Sequence, residues 1–526
     1  MKKLFFIIST CCLFLTVLNA QTPEFRGAWI ATTKMIDYPR AKNMTTEQLK
    51  QNYIDILDKL EASGFNAVIF QIRPAADAFF PSEYEPWSEW LTGKQGRAPE
   101  PWFDPLLFMI TETHKRNMEF HAWFNPFRAV ATMQYAHITE NHITNKKPEW
   151  FITYDINKYF NPGIPEVRNY LVQVIMDVVN RYDIDGVHFD DYFYPYPVYN
   201  AEKKIIDFND NSTYLKYKQN FVTIADWRRN NLNVFIKAIH DTLQTTKPNI
   251  KFGVGPGGVW RNKQNDPNGS NTKGLSTYDW LYADILTWLK NGWIDYVAPQ
   301  IYWTINHKLN DFMHLTDWWA NNSYNKHVYI GIGAYRLENP GNESGWMQAN
   351  QVPAQIAYLR KNNKIQGLIM YRSTTILNNP LGLTDSLRTN YFLWKVPTPA
   401  MPWKDTANLI VVIPINRPDQ PKNLNVIKVG KEFMFYWDQN YIKNTSKPDT
   451  SIKYVVYRIH NNPKKNAPDS LIQIAITKNP FYTYKIKKAV IGRKKTISFI
   501  VSAINKNNQE SEVSKLVSIK VNRNEE

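Results

Sequence analysis

Eight short apolar runs, each separated from the next by a stretch of helical character, limit what this chain can fold into more than any other feature. The runs are Phe25 to Ala31, Ala67 to Arg73, Glu119 to Asn125, Gly186 to Asp190, Lys251 to Gly255, Tyr296 to Tyr302, His327 to Tyr335 and Gly367 to Tyr371. Thr45-Thr46-Glu47-Gln48 reads as a capping box, after which Leu49, Tyr53, Leu57 and Leu60 recur at helical spacing until Gly64. Pro165 opens another helix, with Val167, Leu171, Val174, Ile175 and Val178 on one side. Further helical patterns run near Phe221 to Leu243, Thr277 to Leu289, Leu309 to Trp319, Pro353 to Lys361 and Thr384 to Tyr391. Strand and helix alternating in this way predict a (β/α)8 TIM barrel over residues 21 to 395. The competing doubly wound sheet is disfavoured because no Gly-rich phosphate loop follows the first strand.

The two ends of the chain read differently. Lys2 and Lys3, an apolar run from Leu4 to Leu18 and then Asn19-Ala20 form a cleavable secretory signal peptide over residues 1 to 20, which predicts a secreted or periplasmic protein with no membrane segment after cleavage. Cys11 and Cys12 are the only cysteines; Thr10 is a poor residue to precede a lipidated cysteine, and removal of the leader leaves no disulfide and no thiolate metal site. Residues 396 to 421 are rich in proline and read as a connector, although Leu409 to Ile413 has the composition of a strand. From 422 to 526, seven alternating runs (Asn423 to Val426, Glu432 to Trp437, Lys453 to Ile459, Ile472 to Ile476, Tyr482 to Ile486, Thr496 to Ile504 and Leu516 to Val521) predict a small all-β sandwich that resembles a fibronectin type III module.

Strand alternation points to a site where the barrel strands end. Val187 and Phe189 suit the helix-covered side of the fourth strand, so His188 and Asp190 face inward, with Asp190 at the rim and Asp191 opening the loop. The same parity turns Gln71, Arg73, Trp123, Asn125, Gln300, Tyr302, Tyr335 and Tyr371 inward. A purely structural barrel fills that space with branched aliphatics; polar and aromatic groups converging there indicate a polar binding site. Two adjacent acids at such a rim suit the cleavage of a glycosidic bond, which takes one carboxyl to protonate the leaving oxygen and another to act as nucleophile or to position water. Asp190 is the expected nucleophile or charge stabiliser, with the acid and base roles open between it and Asp191.

Adjacent residues do not easily reach both faces of one bond, so a second acid is sought among Asp77, Glu83, Glu85, Glu89 and Glu343, with Glu343 preferred. Arg73 and Arg128 either tether a carboxylate or touch substrate, and Tyr192 offers a ring beside the acids. Aromatic residues make up 14% of the chain, and flat rings pack on the C–H faces of sugars. His121 and His188 have no third histidine at metal-ligand spacing, so no metal and no cofactor is expected. The net charge of +16 suits nucleic acid, an anionic envelope polymer or simply solubility, and the lack of a nucleic-acid-binding motif disfavours the first. Gly253, Gly255, Gly257 and Gly258 fit no nucleotide loop and are expected to make room at the rim.

Taken together, Phe25-Arg-Gly-Ala-Trp29, Gln71-Ile-Arg-Pro-Ala-Ala-Asp77, Phe80-Pro-Ser, Pro86-Trp-Ser, Leu91-Thr-Gly, His121-Ala-Trp-Phe-Asn-Pro126 and Gly186-Val-His-Phe-Asp-Asp-Tyr-Phe-Tyr-Pro195 resemble the glycosyl hydrolase-like 10 family, over roughly residues 24 to 395. The resemblance implies a barrel glycosidase of the cell envelope, since one member of that family cleaves peptidoglycan strands stripped of their stem peptides. Ala75-Ala76 stands where many relatives carry glycine, and Asn262 to Lys273 reads as a polar insertion. Both departures bear on the shape of the substrate subsites rather than on the acids.

Overall fold

The computed structural model describes residues 22–131, 138–404, 418–430, 432–441, 449, 451–460, 470–485, 495–505 and 510–521. The leader with Cys11 and Cys12 and the strand expected at Leu409 to Ile413 lie outside these residues. Two compact units divide the chain, one over Pro23–Asn416 and one containing Arg417–Glu526.

The first unit is a closed barrel of parallel strands, Phe25–Ile30, Ala67–Arg73, Glu119–Phe124, Gly186–Phe189, Lys251–Val254, Tyr296–Val297, His327–Ile332 and Gly367–Met370, each beside its neighbour in sequence and the last beside the first. All eight expected strands are present. Alternation sorts the side chains as the sequence implies. Val68, Phe70, Ile72, Val187 and Phe189 enter the outer layer beneath the helices, while Phe25, Trp29, Ile69, Trp123, Tyr296 and Tyr329 fill the interior.

Local chemistry explains the helices. Thr45 caps Thr46–Ala62 with a reciprocal box to Gln48. Pro165–Arg181 buries Val167, Leu171, Val174, Ile175 and Val178, and burial of each large aliphatic side chain contributes about 1.5–3 kcal/mol. A helix at Pro105–Lys115, absent from the sequence reading, follows the second strand. Asp104 accepts from Leu107 N at its start and Pro105 occupies its first turn, a legible start signal that the apolar spacing had obscured.

Glycines inside the barrel serve close approach. A Cβ on Gly253 would lie 2.1 Å from the Tyr296 ring, and one on Gly186 would lie 2.5 Å from His121 Nδ1. Gly253 thus makes room in the interior rather than at the rim.

The stretch read as connector from Val396 instead belongs to the barrel as far as Lys404. Val396 O accepts from Asn66 Nδ2 at 2.9 Å, Thr398 Oγ1 donates to Glu119 at 2.5 Å, Met401 is buried with the interior aromatics, and Lys404 pairs with Asp295 at 2.7 Å. The segment closes in a 3-10 turn at Pro402–Lys404, and its side chains plug the end of the barrel where the strands begin.

A small antiparallel sheet of Arg128–Val130, Asn157–Phe160 and Phe151–Tyr154 builds out the loop after the third strand. In the second unit, Asn425–Val429, Glu432–Tyr436 and Phe481–Lys485 form one antiparallel sheet, and Ser470–Thr477, Lys453–His460, Lys495–Ile504 and Val517–Val521 form another. Phe435, Trp437, Tyr454, Val456 and Phe499 share the core of this unit, with Phe435 and Phe499 4.3 Å apart between ring centroids.

Candidate active site

Asp190 follows directly on the fourth strand, where alternation turns it into the barrel mouth. Asn125 Nδ2 donates to both of its oxygens, at 2.8 and 2.7 Å, and Tyr192 N donates to Oδ1 at 3.2 Å. Asn125 is held in turn by Gln71, whose Nε2 reaches Asn125 Oδ1 at 2.6 Å while its Oε1 accepts from Thr32 N and Thr33 N at 2.8 and 2.9 Å. The ends of four strands therefore fix one carboxylate through a single relay.

Asp191 faces a different set of partners. The Tyr196 hydroxyl donates to its Oδ2, and the Gln300 side chain hydrogen-bonds it as well as donating to Gly255 O at 2.8 Å. Arg128 supplies the positive charge that acts on both acids; its guanidinium lies over the Tyr192 ring, 4.3 Å from the centroid, and donates to Pro74 O at 3.3 Å.

Both acids are buried, with 6% of each exposed. Burial, and then the charge of Asp191, push Asp190 up to about 7, against the weaker pull of Arg128 and Asn125. Burial raises Asp191 as well, opposed by its bonds to Tyr196 and Gln300. Two like charges on consecutive residues titrate as a unit, so the proton that Asp190 takes up near pH 7 is held in the presence of Asp191.

The remaining expected residues fall into three groups. Tyr302, Tyr335 and Tyr371 form a half-buried triad at the ends of the sixth to eighth strands, with ring centroids 5.9, 5.9 and 5.6 Å apart. Trp123 lines the interior, and its Nε1 has no hydrogen-bond partner among the described residues.

Arg73 and His188 both bond within the protein, Arg73 as the tether that was one of its two expected roles. Arg73 forms a bidentate pair with Glu85 at 2.7 and 2.5 Å and donates to Asn125 O and Pro126 O, so its donors are committed inside the protein and Glu85 is no free acid. His188, fully buried, accepts from Trp29 Nε1 at 3.2 Å and bonds the Tyr296 hydroxyl at 3.0 Å. Both ring nitrogens are engaged one layer below the mouth.

Asp77, 3% exposed, is pushed up to about 7 by burial despite a bond from Ser88, with Glu85 and Glu89 adding to the rise; its Oδ1 has no hydrogen-bond partner among the described residues. Glu343 stands before the short turn Ser344–Met347, with Oε2 buried and likewise unpartnered among the described residues. No described hydrogen bond joins either to Asp190 or Asp191.

Tyr196 and Trp29 were missed by the sequence reading. Inward parity of the first strand would have found Trp29, whereas Tyr196 is one ring in an aromatic run and only the fold of the loop selects it. Among the described residues, no three His, Cys, Asp or Glu side chains group as a metal site.

Residues 24–348 match the profile of the family described as Glycosyl hydrolase-like 10. Glycosyl hydrolase YngK of Bacillus subtilis (strain 168) is 40% identical over 488 residues, covering 90% of this chain and 92% of its own. Glycosyl hydrolase DigH of Escherichia coli (strain K12) is 39% identical over 377 residues, 68% of this chain and 84% of its own. Among solved structures, the glycoside hydrolase domain of PgaB (BpsB) from Bordetella bronchiseptica aligns over 70% of this chain and 98% of that one, at 12% identity and a TM-score of 0.43.

Proposed function

Because the chain belongs to the glycosyl hydrolase-like 10 family and is a glycoside hydrolase, we propose that it is exported and cleaves a polysaccharide of the cell envelope, the glycan strands of peptidoglycan. The observation that carries the chemistry is the buried Asp190–Asp191 pair, held by Asn125, Gln71, Tyr196 and Arg128, with burial raising both carboxyls. Such a pair supplies a proton to a leaving oxygen or a negative charge to the developing oxocarbenium ion, the acid and base roles staying open between the two. Burial strengthens both effects, since it raises the acid group toward neutral pH and lets the anion act in a medium of low dielectric. Tyr302, Tyr335 and Tyr371 offer faces on which sugar rings stack beside the acids.

Peptidoglycan as the polymer rests on the family resemblance of the motif set and on the basic balance of the chain, which favours an anionic polymer. Export rests on the leader-like first residues. The C-terminal unit is read as a fibronectin type III-like spacer or glycan-contacting module, supported by its three-stranded and four-stranded sheets.

Product analysis tests the reading directly. The protein is incubated with peptidoglycan strands stripped of their peptides and with intact peptidoglycan, and soluble fragments are identified by mass spectrometry. Release of sugar fragments with new reducing ends from the stripped strands is the expected result. Cleavage of a plant or host glycan with neither peptidoglycan cut would remove the envelope assignment and leave the glycosidase.

A further inference from the structure

A cavity is built by the loops that follow the first three barrel strands. Its volume is about 360 Å³, and Lys34, Lys42, Asp77, Glu89, Trp90 and Gln95 are among its walls. That volume falls at the lower end of the range, about 300–1,000 Å³, in which proteins hold small ligands, and suits one substituted pyranose. The backbone that carries Arg128 continues into the wall at Ala129, which accepts from Ala76 N at 3.3 Å. Arg128 itself reaches Pro74 O at 3.3 Å and acts on Asp190 and Asp191, so acid pair and cavity share a partition of two strand ends.

Three independent features mark the cavity as more than a packing gap. Asp77 is 3% exposed, yet its Oδ1 has no hydrogen-bond partner among the described residues. A buried oxygen in that condition calls for a donor, and a sugar hydroxyl or amide N–H is one. Trp90, half-buried in the same wall, offers an aromatic surface to a sugar's C–H groups. Lys34 has φ 53° and ψ 22°, and Met35 follows with φ 53°. Consecutive left-handed residues bearing a Cβ are held against their own preference, and strain of this kind collects at ligand sites. Here it brings a lysine to the cavity.

Charge decides the class of ligand. Lys34 and Lys42 form no described ion pair, and the acids opposite are Glu89 and Asp77. Burial raises Asp77 to about 7, which leaves the cavity with a positive balance near neutral pH. A neutral sugar would gain nothing from two ammonium groups, whereas a sugar bearing a carboxylate would. We propose that this cavity is an additional subsite of the hydrolase, taking a pyranose that carries a free carboxylate, with Lys34 and Lys42 facing the acid group, Trp90 the ring and Asp77 a hydroxyl or amide. The proposal rests on the glycan-hydrolase reading and narrows it to an acidic glycan. In peptidoglycan that group is the lactyl acid, free only where the peptide has been removed.

Binding measured without turnover separates the two readings. The full-length chain carrying Asp190→Asn is titrated calorimetrically with the disaccharide of N-acetylglucosamine and N-acetylmuramic acid and with the methyl ester of that disaccharide. The acid is expected to bind about tenfold tighter than the ester at low salt, the ratio shrinking as salt screens the lysines. Adding Lys34→Met and Lys42→Met, both exposed positions, is expected to bring the ratio to about one with the thermal midpoint unchanged. A disaccharide ending in glucuronic acid forms the second arm; tighter binding than its ester, lost with the lysines, also supports the subsite and assigns it to uronates. Equal affinity for acid and ester, a ratio that survives loss of both lysines, or no binding at millimolar ligand would overturn the proposal. Products formed from peptidoglycan with no acid preference would sink the subsite alone, whereas an intact preference without products would sink the peptidoglycan assignment alone.

Discussion

The two ends of one barrel treat buried charge in opposite ways. At the floor, Lys251 Nζ lies 2.6 and 2.7 Å from the Glu119 oxygens, His121 Nε2 lies 3.0 Å away and Thr398 adds a donor at 2.5 Å. Burial works to raise Glu119, but Lys251 and His121 outweigh it and hold the carboxyl well below its usual range. Asp295 is also met by partners, with Lys404 at 2.7 Å, Trp403 at 2.8 Å and Phe252 N at 2.9 Å. At the mouth, Asp190 is as deeply buried but meets an amide, a backbone N–H and a cation that also serves Asp191, so its carboxyl goes up instead of down. The floor neutralises its charges and thereby holds the barrel shut. The mouth leaves its charges partly unmet, and that deficit is available to a substrate.

Replacing the acid at the mouth has the largest expected effect. Asp190→Asn should lower kcat by about 10³-fold or more while substrate binding persists, as read by release of reducing ends and by direct titration. Turnover within about tenfold of wild type would show that the contrast between mouth and floor is not a catalytic one.

The floor should respond in stability instead. Glu119→Gln leaves Lys251 buried without its partner and is expected to cost about 3–5 kcal/mol in urea unfolding, with kcat of the folded protein changed by less than about threefold. Since Glu119 is depressed in the folded state, its contribution is present above the unfolded value of about 4.3 and is lost as pH falls through the folded one. The wild type should therefore lose stability on acidification, and the variant should lose less. A variant that unfolds like wild type but turns over slowly would reverse the assignment of the two ends.

The smallest of these effects concerns the relay. Activity that needs a proton on the acid pair falls as pH rises through about 7, which places the basic limb of the rate profile there. Asn125→Ala removes donors that favour the ionised form of Asp190, so the limb should move to higher pH while kcat drops about 10-fold to 100-fold through misplacement of the acid. A lowered kcat with an unmoved limb would make Asn125 a packing residue only.

Some of this was legible before any tertiary contact was known. Period-two alternation announced the strands and turned Asp190, Asn125, Gln71 and Gln300 to one side, because successive side chains of a strand point to opposite faces whatever the rest of the chain does. Arg73 had the right parity as well, yet parity is silent about partners, and Glu85 claims its donors from a loop whose path no periodicity describes. His188 was likewise placed on the inner face, but parity did not name the ring that engages it, Tyr296, which arrives from a strand 108 positions later.

The sequence by itself determined the order of strands and helices, the inward set of polar residues and the acid pair, all of which follow from local stereochemistry and hydrophobic spacing. Only tertiary structure decided which buried charges are paired and which are left wanting. Glu119 meets Lys251 across 132 positions and Thr398 across 279, and it does so because closing the barrel brings distant strand starts and the following extended segment to one point. The cavity of Lys34, Lys42 and Asp77 exists for the same reason: loops far apart in the chain converge wherever parallel strands end.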